Sequence, residues 1–171
     1  MLMKRIALAW VLLCCTPVLA SGPIWRQATA AELRQIIPAR APVGKERIET
    51  EFRTASGISD GHRFVAGVVM ITAGYEAEGK YSHFFITQLP LRIGEMLLPP
   101  GEYLFGYKRV DDAMEVKFHE AATERLLGTV RARLDTRRTG VRQFYISPAA
   151  YGSGKGFIQF GRFVFEYKLS Q

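Results

Sequence analysis

Beyond residue 20 the chain has no cysteine, because Cys14 and Cys15 are its only two, and asparagine is absent throughout. The first absence excludes disulfides, thiol nucleophiles and Cys-ligated zinc or iron–sulfur centres from everything after that point. The second excludes N-glycosylation and Asn-Gly hairpin turns, which leaves glycine and aspartate to reverse the chain. Histidine is scarce: His62, His83 and His119 are the only three, and their spacing matches no metal-ligand motif. By alternation His119 falls on the solvent side of its strand, His83 shares parity with Tyr81 and Phe85, and His62 lies in a turn, so all three read as surface or strand-rim residues. No metal and no cofactor is implied. Long hydrophobic runs are missing as well, since the unbroken apolar stretch over residues 6–15 falls short of the roughly 18 needed to span a bilayer.

That short run sits in a recognisable frame. Lys4 and Arg5 precede it, Pro17 follows, and Val18 and Ala20 occupy the third-last and last places before Ser21. This is the layout of a secretory signal peptide over residues 1–20, cleaved after Ala20. A lipoprotein anchor on Cys14 or Cys15 is disfavoured, because Leu13 is not the small residue that lipid attachment requires before its cysteine. Removing twenty of the 171 residues leaves 151, and losing Lys4 and Arg5 lowers the net charge from +7 to +5. The remainder is one domain's worth of chain, with no transmembrane span and a periplasmic or extracellular destination. With hydrophobic residues at 48% and charged residues at 23%, it is a folding composition and not a disordered one.

Residues 21–46 form an N-terminal segment with a short helix. Thr29-Ala-Ala-Glu32 has the form of a capping box, Leu33, Ile36 and Ile37 follow one turn on, and Pro38 ends the helix. From Arg47 the period changes to two, with Ile48, Thr50 and Phe52 opposing Glu49, Glu51 and Arg53. Residues 56–61 read as a turn. Residues 64–73 are apolar on both faces and read as a central strand. A turn over 74–80, a strand over 81–88, an interruption at Pro90 and a resumption at Leu91 and Ile93 follow. Leu97-Leu-Pro-Pro-Gly101 is a tight turn by composition. Tyr103, Phe105 and Tyr107 then alternate outward and back across Asp111-Asp112 to Met114, Val116 and Phe118. Strands over 126–134, 141–146 and 157–169 complete the set. Eight or nine closely spaced strands predict a mainly β domain over 47–171, an antiparallel β-sandwich or, second, a small β-barrel, with one short N-terminal helix.

The segment Leu97-Leu-Pro-Pro-Gly-Glu-Tyr103, placed between an apolar and an alternating strand, resembles the L-P-A-G-x-Y segment of small exported bacterial β-sandwich-like proteins of unknown function, with Pro100 where alanine is usual. The resemblance implies a fold and a compartment, and it carries no activity.

Catalytic patterns are thin. Gly152-Ser-Gly-Lys-Gly156 lacks the upstream glycine and the Ser or Thr of a phosphate loop and reads as a hairpin loop. Ser82, Ser147 and Ser153 have no G-x-S-x-G context. Glu49 with Glu51, and Glu76 with Glu78, are spaced to share a strand face, where a solvated surface explains them better than glycosidic acid/base work. The basic run is more informative. Arg131, Arg133, Arg137, Arg138 and Arg142 fall within twelve residues opposed only by Asp135, and guanidinium groups take carboxylate or phosphate by two-point contact. These five are the candidate anion-binding residues, and Tyr103 and Tyr107 the candidate ligand platform. Outside the cytoplasm the partner is an anionic envelope component, an acidic polysaccharide or another envelope protein, and not nucleic acid. The reading is a non-enzymatic exported domain that binds or assembles at the cell envelope. A barrel-type carrier of a small apolar or sugar-like ligand is the alternative, and a hydrolase with an unrecognised site comes third.

Overall fold

The computed structural model describes residues 22–72, 80–136 and 140–170. Residues 1–20, which the sequence reading takes as a leader, and Tyr75, Glu76, Glu78, Arg137 and Arg138 lie outside them.

The capping box forms as its residues predict. Glu32 N–H donates to Thr29 Oγ1 at 3.2 Å, and Thr29 N–H donates to Glu32 Oε2 at 2.8 Å, which fixes the start of α1 (Ala30–Ile36). The same carboxylate is paired with Arg26 at 2.6 Å. That hydrogen bond, with the one from Thr29, holds the Glu32 pKa at about 2. Leu33, buried on α1, and Ile37 just beyond it turn into a cluster with Ala66, Val68, Phe84 and Leu104, so the helix covers one face of the sheet.

The described strands are β1 (Arg26–Gln27), β2 (Arg40–Val43), β3 (Glu46–Ser59), β4 (Phe64–Met70), β5 (His83–Thr87), β6 (Leu91–Ile93), β7 (Met96–Leu98), β8 (Gly101–Val110), β9 (Ala113–Glu120), β10 (Leu126–Leu134), β11 (Arg142–Ile146), β12 (Lys155–Gly161) and β13 (Phe163–Leu169). All the ladders are antiparallel. The order runs β1-β3-β4-β5-β8-β9-β10-β13-β12-β11, with β2 on β3, β6 on β13 and β7 on β6. The fold is therefore mainly β, one continuous antiparallel sheet curled into a half-barrel. Two separate packed sheets do not form, and the reason lies in β10. That strand pairs with β9 through Ala132 and then, at Arg133↔Val164 and Leu134↔Phe163, with β13.

The curl encloses an aromatic core. Phe85, Phe105, Phe118, Phe160 and Phe165 fill it, with Phe105 and Phe118 ring centroids 5.1 Å apart and Phe118 edge-on to Phe165 at 5.8 Å. The two ends of the sheet meet where Ile146 N–H on β11 donates to Ser56 Oγ on β3 at 2.9 Å. Gly67 permits that approach, because a Cβ there would lie 2.9 Å from the Phe144 ring and from the Phe84 carbonyl oxygen.

Three expectations are corrected. Residues 56–61 are not a turn: β3 continues to Ser59 and the reversal waits for Asp60, whose carboxylate accepts from His62 and Arg63 N–H groups. Ser56, Gly57 and Ser59 are buried close-packing residues there, and turn composition was their whole signal. The segment 157–169 is two strands, since Gly161 at φ +58° allows a tight reversal into β13. Two of the histidines are interior. His119 is buried edge-on to Tyr81, with ring centroids 5.2 Å apart, and His83, 2% exposed, stacks on Phe105 at 4.4 Å.

Candidate functional site

β13 changes partner along one edge. Over Phe163 and Val164 that edge belongs to β10, and at Lys168 and Leu169 it belongs to β6. Between the two contacts no described strand pairs with it on that side, and a cleft of about 680 Å³ opens at the fork. Sheet alternation sends Phe165 and Tyr167 into the core and Val164, Glu166 and Lys168 outward.

Register then decides what else points outward. Lys168 stands directly opposite Lys155 on β12 and, on its other side, opposite Arg92 on β6. Cross-strand partners have Cβ atoms about 5 Å apart, so Lys155, Lys168 and Arg92 form a rung of three cations across adjacent strands. All three are exposed, and none has a carboxylate partner among the described residues. Like charges directly opposite one another are destabilising, so the rung is a local cost to the fold. Arg131 and Arg133 of β10 line the same cleft. Arg131 is tied to Asp112 at 2.9 Å, with both side chains well exposed, which is a weak attachment. Asp135 and Glu166 are the carboxylates that line it, two against five cations.

The basic run is thus divided. Arg131 and Arg133 join Arg92, Lys155 and Lys168 at the fork. Arg142 stacks over the Tyr145 ring at 4.3 Å and lines a different cleft, beside α1. Arg137 and Arg138 lie outside the described residues. The rung itself is invisible in a linear reading, because its members are 63 and 13 positions apart, from Arg92 to Lys155 and from Lys155 to Lys168. The outward parity of Glu166 and Lys168 was the one available signal.

Of the two candidate platform tyrosines, Tyr103 is packed into the interior and Tyr107 rests against the core from outside it. Tyr103 is 4% exposed and its hydroxyl donates to the Pro99 carbonyl at 2.5 Å. Tyr107, half-buried, stacks on Phe160 at 4.4 Å. Glu49 and Glu51 pair with Arg40 and Arg53. No group of three or more His, Cys, Asp or Glu side chains suited to a metal ion occurs among the described residues. No family model matches the chain, and no curated protein or solved structure does either.

Proposed function

We propose that this protein is a non-catalytic binding domain of the bacterial envelope that holds a linear acidic polysaccharide across the cleft at the β10–β13–β6 fork. The observation that carries the reading is the rung Lys155–Lys168–Arg92. Three cations in direct register, unneutralised, cost stability in the free protein and are relieved when an anion bridges them. A line of positive charges about 5 Å apart suits a polymer with one carboxylate per repeat better than a single compact ion. Arg131 and Arg133 extend the positive surface along β10 and supply two-point contacts that lysine does not. The leader over residues 1–20 would deliver the domain to such polymers. Binding outside the sheet is favoured over carriage within it because Phe85, Phe105, Phe118, Phe160 and Phe165 occupy the interior.

The test is retention on immobilised alginate, with neutral dextran as the control. Wild-type protein is expected to bind at low salt and elute as the screening length shortens to about 8 Å near physiological strength. Replacing Arg92, Lys155 and Lys168 together by Gln should abolish retention while raising stability by a few tenths of a kcal/mol, since the like-charge contacts go. Equal retention of wild type and variant, or retention on dextran, overturns the proposal. Binding to anionic vesicles without binding to alginate would assign the rung to lipid headgroups instead.

A further inference from the structure

A second cleft, of about 710 Å³, lies where the two ends of the sheet meet, between α1, β3 and β11. It exists because two elements are interrupted there. β1 and β2 both run antiparallel to β3, β1 against Ser59 and Ile58 and β2 against Glu46 through Glu49. Since Ile71 N–H donates to the Glu49 carbonyl from the β4 side, β2 and β1 must share the opposite edge. They are two ends of one strand line, broken in its middle by the excursion through α1. Opposite the break, β3 itself bulges. Glu51 faces Val69 and Ser56 faces Gly67, so five steps on β3 answer two on β4. The hydroxyl of Thr54 repairs the ladder, accepting from Val69 N–H at 2.9 Å and donating to the Glu51 carbonyl at 2.8 Å. A bulge of this size re-aims side chains, and it turns Phe52, Arg53 and Ala55 toward the cleft.

The walls carry a consistent chemistry. Arg34 of α1 lies over the Phe52 ring at 5.1 Å, and Arg142 of β11 lies over the Tyr145 ring at 4.3 Å. A guanidinium stacked on a ring by one face keeps its N–H edges free for an oxyanion. Neither arginine has a carboxylate partner among the described residues, and no carboxylate lines the cleft; Glu51 reaches Arg53 from beside it at 3.1 Å. The rest of the lining is mixed, with Ala28, Ala30, Leu33 and Ala55 beside Gln27, Thr54, Ser56 and Gln143.

We propose that this cleft binds a compact organic acid, its carboxylate held by Arg34 and Arg142 and its apolar body laid against Ala28, Ala30, Leu33 and Ala55. The site is separate from the cationic fork and takes a different class of ligand: a small amphiphilic carboxylate instead of a polymer.

Benzoate is the probe, titrated by calorimetry and followed by amide chemical shifts. Saturable binding is expected, with shift changes confined to residues 27–34, 52–56 and 142–145. Benzyl alcohol, which keeps the ring and loses the charge, and glucuronate, which keeps the charge and loses the apolar body, should each bind at least about tenfold more weakly. Arg34→Gln and Arg142→Gln should each weaken benzoate about tenfold or more, the scale of one charge-assisted contact. Both positions are exposed, and thermal melts of the two variants check that the fold is kept. The triple Gln variant of the fork should bind benzoate like wild type, so failure here is distinguishable from failure of the polymer reading. Non-saturating binding, equal affinity for benzyl alcohol or glucuronate, shifts centred on the fork, or loss of binding in the fork variant would each overturn the proposal.

Discussion

His83 offers the sharpest test of the interior. Its ring is stacked on Phe105 and flanked by Phe144 at 5.0 Å, with Tyr107 and Phe160 farther out at 6.0 and 6.4 Å. Nδ1 is 2.8 Å from Ser82 Oγ, while Nε2 is buried with no hydrogen-bond partner. Burial disfavours the imidazolium and lowers the pKa to about 3 from 6.5. The unfolded chain therefore takes up a proton in the interval where the folded one does not. This residue's contribution to stability is full above pH 6.5 and is lost as the pH falls toward 3. At about 1.4 kcal/mol per pH unit, roughly 2–3 kcal/mol should disappear between pH 6.5 and 4.5. That is a large share of a typical total of about 5–15 kcal/mol.

His83→Phe isolates this effect. At pH 7 the variant gives up one hydrogen bond, worth about 1 kcal/mol, and removes an unsatisfied buried nitrogen that costs about 1–3 kcal/mol. Its stability should then lie within about 2 kcal/mol of wild type, on the favourable side. Urea unfolding at pH 7, 5.5 and 4.5 reads the comparison, and the difference between the two proteins at each pH isolates position 83. The gap should widen in favour of the variant by about 2–3 kcal/mol from pH 7 to 4.5. Parallel pH profiles would refute the buried neutral imidazole, and a loss at pH 7 of about 3–5 kcal/mol, the scale of a large core deletion, would show that the histidine is required there.

Two further perturbations address the architecture. Gly67→Val places side-chain atoms against the Phe144 ring and the Phe84 carbonyl, both 2.9 Å from the first added carbon, and should cost at least about 1–3 kcal/mol in chemical denaturation; an unchanged midpoint would mean that β11 does not close over β4 at this point. Thr29→Ala removes the acceptor for Glu32 N–H and should cost about 1 kcal/mol, while Thr29→Ser should be neutral; a null result for Ala would mean that α1 is held by Leu33 and Ile37 alone.

What the sequence made legible follows from the range of the forces involved. Thr29 and Glu32 are three residues apart, and their hydrogen bonds depend on little else, so α1 could be read directly. Leu126–Leu134 and the reversal at Asp111-Asp112 are local patterns as well, and both stand where alternation puts them. Parity failed where a second layer was unseen. His119 does face away from the aromatic core, as its alternation predicts, but Tyr81 lies over that face and leaves it 9% exposed. His83 obeys its parity with Phe85, and parity alone does not say that aromatic side chains of β8, β11 and β12 close around it. The candidate sites extend the same lesson. Five arginines adjacent in sequence attract notice as a cluster, yet the chain sends Arg131 and Arg133 to one cleft and Arg142 to another. The rung beside the first pair is assembled from β6, β12 and β13 by two ladder registers. A charge run is a property of the chain, whereas an anion responds to the potential at a surface, and in a curled sheet it is strand register that converts one into the other.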